Sequence, residues 1–123
     1  MTEHDIQNAI RLELSKRGYM TERINVGSGF LVPSRLFSKV KLYCPKFRKE
    51  LDNVQYFNSG AIQGRSDLDV IKDGRIYFIE VKDETGRPRP DQIKFIETVS
   101  SRYGCPAGIA RSVDDALKIV GEV

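Results

Sequence analysis

The sequence predicts a single α/β domain, spanning residues 1–123, that is built on a mixed β-sheet. The candidate elements run in the order helix, several strands, helix, strand and helix, which is typical of strands and helices that share one core. The strongest local signal is Asp73-Gly74, which separates two alternating apolar runs and predicts a tight β-hairpin. A content of 40% hydrophobic and 30% charged residues is ordinary for a globular protein.

The first half of the chain predicts one helix and several short strands. Residues 3–17 carry apolar side chains at helical spacing, Thr2 is placed to cap the first turn, and Gly18 ends the helix. Strands are expected at 19–26, 30–32 and 54–58, with a turn at 27–29. Glu3 lies at one end of the apolar helix face, where an acid commonly does no more than complement the helix dipole.

The hairpin brings two carboxylates together. Its tight turn sets a register in which Asp67 lies opposite Glu80, and directly opposed side chains share one face of a sheet. Lys82 lies two residues beyond Glu80 and therefore points to the same face. Asp69 shares that face as well, but it lies farther from Glu80, so Asp67 is the preferred member of the pair.

This arrangement suits a divalent cation, because two adjacent carboxylates repel each other unless a positive charge lies between them. Asp67, Glu80 and the backbone carbonyl of Val81 offer the hard oxygen ligands that Mg²⁺ prefers, and they leave positions for water and substrate phosphate. Lys82 is placed to orient or deprotonate an attacking water, or to stabilise charge on phosphate oxygens. The alternative is a solvated face with exposed ion pairs. The second hairpin strand is apolar on both faces, which favours the catalytic interpretation.

Three elements follow the hairpin. A loop at 83–90 leads into a helix predicted at 90–102, and Gln92 lies on the inward face of that helix. Residues 107–110 predict a short buried strand, and Ser112 is placed to cap a final helix.

Basic side chains are concentrated in the segment 35–49, which contains no acid. Its cations are Arg35, Lys39, Lys41, Lys46, Arg48 and Lys49. They indicate either a solvated loop or edge strand, or an arm that contacts nucleic-acid phosphates. Arg65, Arg87 and Arg89 are open to the same choice between phosphate contacts and solvated or paired side chains.

Overall charge and cysteine content set broad limits on function. The net charge of +3 permits nucleic-acid binding without requiring it. Cys44 and Cys105 have neither metal-ligand spacing nor a disulfide framework, as expected in a reducing cytosol. The polar N-terminus lacks signal-peptide character, and no apolar run is long enough to span a membrane, so no membrane partner is expected.

The same residues resemble a known family. Asp67, followed after a hairpin by Glu80-Val81-Lys82, is similar to the PD-(D/E)XK nuclease signature, with Ser66 where that signature has Pro. The wider pattern resembles the virus-type replication-repair nuclease (VRR-NUC) domain, in the stand-alone form that phages encode. The motifs that carry the resemblance are Glu3 with Ile6-Gln7, Asn25-Val-Gly27, Gly60, Gly64-Arg-Ser-Asp-Leu68, Ile79-Glu-Val-Lys82 and Gln92. The basic segment 33–56 matches least and is interpreted as an elaboration on the core.

The resemblance implies a restriction-endonuclease-like fold, in which helices flank a mixed sheet with an αβββαβ core. It implies a Mg²⁺- or Mn²⁺-dependent endodeoxyribonuclease that acts on branched DNA as a homodimeric Holliday-junction resolvase. The alternatives are a flap or single-strand DNA nuclease, and a non-catalytic DNA-binding module that retains the fold. The expected location is the cytoplasm of a bacterium or of a phage-infected host cell.

The resemblance also assigns roles to residues whose individual interpretations were open. Glu3 becomes an acid near the metal that acts through water, and Gln92 becomes an active-site amide that orients Lys82, a water or the phosphate. Asn25 and Ser66 join Arg65 as candidate DNA contacts. The implied catalytic set is Asp67, Glu80, Lys82, Gln92 and Glu3.

Overall fold

The computed structural model describes residues 1–24, 28–31, 55–58 and 62–122. The chain forms two compact units, one comprising residues 1–25 and 62–123 and the other residues 26–61. The helices within the described ranges are α1 (Glu3–Lys16), α2 (Pro90–Ser101) and α3 (Val113–Ile119). The strands there are β1 (Met20–Arg23), β2 (Ser28–Leu31), β3 (Gln55–Asn58), β4 (Leu68–Lys72), β5 (Arg75–Val81) and β6 (Ala107–Ala110).

The first unit contains a four-stranded mixed sheet in the order β1-β4-β5-β6. The pairs β1–β4 and β4–β5 are antiparallel, whereas β5 and β6 are parallel and are joined by α2, the kind of crossover that parallel strands require. Along the chain this unit runs α1, β1, β4, β5, α2, β6 and α3. The predicted α/β fold with an αβββαβ core is therefore confirmed.

The second unit contains the antiparallel pair of β2 and β3. The turn expected at 27–29 is wrong for Ser28 and Gly29, which belong to β2 and pair with β3 along the whole strand. Glycine indicated a turn from local sequence, but backbone hydrogen bonds to a distant segment determine the observed conformation. Gly27 lies outside the described residues.

Most of the basic elaboration predicted at 33–56 also lies outside the described residues, as does Asn25. The candidate DNA-binding residues concerned are Arg35, Lys39, Lys41, Lys46, Arg48 and Lys49. Their assignment to DNA stays a prediction from the sequence.

The hairpin between β4 and β5 has the predicted turn. Asp73 and Gly74 have φ angles of +52° and +78°, and positive φ at both central residues is the mark of a type I′ turn. The ladder runs from this turn to the pair of Leu68 and Ile79, as the predicted register requires. The next opposed pair along the two chains is Asp67 and Glu80.

The hydrophobic core lies on one face of this sheet, where α1 and α3 cover β4 and β5. Its members include Ile10 and Leu14 of α1, Leu68, Val70, Ile79 and Val81 of the hairpin, and Ala116 and Leu117 of α3. α2 covers the opposite face, where Phe95 meets Phe78 edge to face with ring centroids 5.4 Å apart. Because side chains alternate between faces, the candidate site residues point toward α2 and away from the core.

The helix ends follow the predicted signals. Thr2 caps α1 through reciprocal hydrogen bonds with Asp5, and Gly18 follows the helix with φ of +88°. Ser112 accepts the Asp115 N–H at the start of α3. None of the helices in the described part of the chain combines the length and apolar character that a bilayer crossing needs.

Candidate active site

Asp67 directly precedes β4, and its main chain is held from both sides. Its N–H donates to Glu80 Oε1 at 3.1 Å, and its carbonyl oxygen accepts the Ile24 N–H at 2.8 Å. The first bond joins the hairpin strands one pair beyond the ladder, and the second extends the pairing of β1 with β4. The structure therefore brings Asp67 and Glu80 together on one face of the sheet, as the register predicted.

The Asp67 carboxylate is partly engaged and partly available. Its Oδ2 accepts the Val81 N–H at 2.8 Å, while its Oδ1 accepts no hydrogen bond from the described residues. In a strand the N–H and C=O of one residue point to the same side, so the Val81 carbonyl faces the Asp67 edge of β5. Asp67 Oδ1, which accepts no hydrogen bond from the described residues, and the Val81 carbonyl oxygen therefore lie at this end of the hairpin.

Glu80 is a buried carboxylate, with 2% of its surface exposed. Its Oε2 accepts a hydrogen bond from Gln92 Nε2 at 2.6 Å and lies 3.5 Å from the Lys82 Nζ. Burial, followed by the negative charge of Asp67, raises the pKa of Glu80 to about 7, against the opposing effect of Lys82. A cation at this point would favour the ionised form of both acids.

The orientation of Gln92 is determined by the start of α2. Its Oε1 accepts the Arg89 N–H at 2.9 Å, so its Nε2 must face Glu80. The helical periodicity predicted an inward amide, and the family resemblance implied that it orients Lys82, a water or the phosphate. That role stays a prediction, and the structure gives Gln92 a carboxylate partner, Glu80, which the sequence did not identify.

A tight turn from Ile62 to Arg65 seats α2 against the hairpin. The N–H of the last residue donates to the carbonyl of the first at 3.0 Å, and Gly64 has φ of +82°, as in a type II turn. A Cβ on Gly64 would lie 2.2 Å from the Asp91 carbonyl oxygen and 3.1 Å from the Gln92 nitrogen. Only glycine permits this approach, so the turn sets the position of Gln92.

Arg65 pairs with an acid, which is one of the two interpretations that the sequence left open. Its Nη2 lies 2.7 Å from Asp69 Oδ2, and its guanidinium lies 4.9 Å and 5.4 Å from the ring centroids of Phe78 and Phe95. This pair engages Asp69, the rival aspartate, and leaves Asp67 as the aspartate that contacts Glu80.

Four other predicted residues lie outside this cluster. Glu3 is exposed, and within the described residues it forms no hydrogen bond or ion pair with the site. Ser66 is only 1% exposed, so little of its side chain is available for a DNA contact. Arg87 and Arg89 are both exposed, and Arg89 forms an ion pair with Asp91 at 3.1 Å.

Arg111 is a residue that the sequence did not identify. Its Nη1 donates to the carbonyl oxygens of Asp83 at 2.5 Å and Gly86 at 2.8 Å, so it clamps the loop that directly follows Lys82. The sequence feature that could have identified Arg111 is its position directly after the strand at 107–110. Once that strand is placed parallel to β5, the carboxyl ends of both strands meet at one edge of the sheet.

The donor set fits a small, hard cation. The described residues contain no group of three or more His, Cys, Asp or Glu side chains that could hold a metal. Two carboxylates and one carbonyl are too few for a closed zinc or calcium site, but Mg²⁺ commonly binds through one or two carboxylates and retains several waters. Asp67 Oδ1, which has no hydrogen-bond donor within the described ranges, and the direction of the Val81 carbonyl are consistent with such a site.

The raised pKa of Glu80 predicts how stability depends on pH. Because this pKa rises from an ordinary 4.5 to about 7 on folding, its contribution to stability is complete below pH 4.5 and is lost as the pH rises to about 7. Glu80→Gln does not titrate, so in metal-free buffer this variant should gain stability relative to the wild type across that range. Urea unfolding measures the difference, and a difference that does not change with pH would contradict the prediction.

Comparison with known proteins gives a match in structure. No protein-family model matches the chain, and no curated protein sequence matches it. A solved structure described as a VRR_NUC domain aligns with a TM-score of 0.58 over 98% of this chain and 96% of the other, at 20% sequence identity. A likeness at that identity is a likeness of fold. The chain therefore has the fold of a VRR_NUC domain.

Proposed function

We propose that the chain is a Mg²⁺- or Mn²⁺-dependent endodeoxyribonuclease. The observation that carries the proposal is the pairing of Asp67 with buried Glu80, with Lys82 Nζ 3.5 Å from the Glu80 carboxylate. Desolvating two like charges side by side is unfavourable for stability. Metal-assisted phosphodiester hydrolysis, in contrast, uses adjacent oxygens beside a cationic side chain. The VRR_NUC fold, which is a nuclease-type domain, supports the same reaction.

The cation would be held by Asp67, Glu80 and the Val81 carbonyl. When bound, Mg²⁺ or Mn²⁺ supplies polarisation of a phosphate oxygen and lowers the pKa of a bound water. Lys82 donates to a phosphate oxygen or to the attacking water and stabilises negative charge that develops there. Gln92 keeps the Glu80 carboxylate in one orientation through its bond of 2.6 Å.

The DNA-binding surface that we propose begins next to the site. Arg87 and Arg89 lie in the loop between β5 and α2, and both side chains are exposed. We assign them, together with the basic segment 35–49, to backbone phosphates of DNA. Because phosphate binding releases counterions, the affinity for DNA should fall as the salt concentration rises.

The substrate that we propose is a four-way DNA junction, cut by a homodimer of this chain. A dimer with two-fold symmetry presents two copies of the site, which matches the two-fold symmetry of such a junction. Paired cuts by the two sites would separate the junction into two duplexes.

A panel of labelled DNA substrates tests the proposal. Four-way junction, flap, nicked and linear duplex DNA are incubated with Mg²⁺, Mn²⁺ or EDTA, and the products are mapped. We expect symmetrical junction nicks with 5′-phosphate ends in either metal and no product in EDTA. If only flap DNA were cleaved, the substrate would be a flap and the four-way junction would be ruled out. A gel shift without any product would indicate a DNA-binding module and would contradict the nuclease proposal.

A further inference from the structure

We infer that Arg65 is a positioning residue, which holds Gln92 of α2 against Glu80. This inference rests on the nuclease function proposed above. Arg65 forms no hydrogen bond or ion pair with Asp67 or Glu80 in the described part of the chain. Its contacts run from the hairpin to the helix that carries Gln92, so it acts on the site through that helix.

The Arg65 guanidinium contacts two aromatic rings on different elements. Its central carbon lies 4.9 Å from the ring centroid of Phe78 on β5 and 5.4 Å from that of Phe95 on α2. Phe95 lies three residues after Gln92, so the two side chains are neighbours on the helix surface. A planar, weakly hydrated guanidinium can contact both rings, whereas a compact ammonium group cannot reproduce that geometry.

The ion pair with Asp69 orients the guanidinium but does not use all of its hydrogen-bond donors. Arg65 Nη1 and Asp69 Oδ1 are buried and lack a hydrogen-bond partner among the described residues. An unpaired buried polar atom is unfavourable for stability, so the ion pair alone satisfies the guanidinium only in part. The guanidinium is therefore positioned by the two rings as well as by Asp69, and one of those rings belongs to α2.

The turn that contains Arg65 contacts α2 at a second point. Gly64 approaches the Asp91 carbonyl so closely that a Cβ would lie 2.2 Å from its oxygen. α2 is thus held in its first turn by Gly64 and about one turn later by the Arg65 guanidinium. Two contact points oppose both rotation and sliding of the helix, and Gln92 lies between them, 2.6 Å from Glu80.

Arg65→Lys tests the inference without requiring any enzymatic activity. Lysine keeps a positive charge opposite Asp69 but loses the planar group that contacts both rings. In metal-free protein, the Gln92 side-chain amide NMR signals should move toward those of an exposed glutamine and exchange faster with water. Arg75→Lys is the matched control, since Arg75 lies 5.7 Å from the Tyr77 ring centroid at the other end of β5. Unchanged Gln92 signals in Arg65→Lys would overturn the inference.

Cleavage kinetics provide a second readout. Arg65→Lys should lower kcat about 10- to 100-fold with the KM for DNA unchanged, because misplacing a catalytic group by about 1 Å has effects of that size. In a Gln92→Ala background the same substitution should lower kcat less than about twofold. Equal losses in both backgrounds would assign Arg65 to general stability and overturn the inference. If the wild type cleaves no DNA, the proposed function fails, while the Gln92 signals still decide whether Arg65 positions that side chain.

Discussion

Asp67→Asn should lower the rate of DNA cleavage about 10³-fold, a loss of about 4 kcal/mol of transition-state stabilisation. The amide lacks the anionic oxygen that a divalent cation prefers. Its carbonyl oxygen can still accept the Val81 N–H that Asp67 Oδ2 accepts at 2.8 Å. The substitution also removes the negative charge that lies beside Glu80. We therefore expect a folded variant that binds junction DNA with nearly wild-type affinity.

Asp73→Asn is the matched control for this experiment. Asp73 carries the same side chain at the opposite end of the hairpin, where it is exposed and has φ of +52°. Asparagine adopts that conformation readily, and Asn-Gly is a favoured type I′ turn. Single-turnover cleavage rates of both variants should show a loss for Asp67→Asn alone. A wild-type rate in Asp67→Asn would exclude Asp67 from the catalytic site.

Gly64→Ala should lower the free energy of unfolding by about 3–5 kcal/mol. The positive φ alone is unfavourable for an L-residue by about 1–2 kcal/mol. The added Cβ would also lie 2.2 Å from the carbonyl oxygen and 2.5 Å from the carbonyl carbon of Asp91. Both are backbone atoms, so the turn or α2 must move. That movement separates Gln92 from Glu80, and cleavage by the folded fraction should fall as well.

Gly74→Ala separates backbone strain from the contact with α2. Gly74 has a similar φ of +78°, but a Cβ there would meet no atom of the described residues within 4 Å. Its loss of stability should be limited to the strain, about 1–2 kcal/mol. Urea unfolding of the two variants gives the comparison. Equal losses would show that contact of the added Cβ with the Asp91 backbone does not contribute to the loss of stability in Gly64→Ala.

The hairpin could be predicted from the sequence because its determinants are local. Asp73-Gly74 favours one turn type, and the two-residue period of a strand then assigns every opposed pair as far as Asp67 and Glu80. The helix ends were predictable for the same reason, since Thr2 and Ser112 cap N–H groups only a few residues away.

The position of α2 could not be derived in this way. Periodicity identified the inward face of the helix and therefore the burial of Gln92, but it does not specify which residue of the sheet that face meets. Docking depends on the approach of Gly64 to the Asp91 backbone and on the rings beneath Arg65. In the sequence, Gly64 indicates a turn, but it does not indicate that α2 packs against that turn. The Gln92 bond to Glu80 therefore required the structure.

Three hydrogen bonds build the candidate site, and they join residues that are 12, 13 and 14 positions apart in the chain. Closing such short loops costs little conformational entropy, and contacts of low sequence separation form early in folding. The stretch from Asp67 to Gln92 thus supplies the side chains of the site, and Gly64 and Arg65 directly before it position α2. The second unit, residues 26–61, precedes this stretch in the sequence, as an insertion between two parts of the first unit. Lengthening or shortening that insertion leaves the contact order of the site itself unchanged.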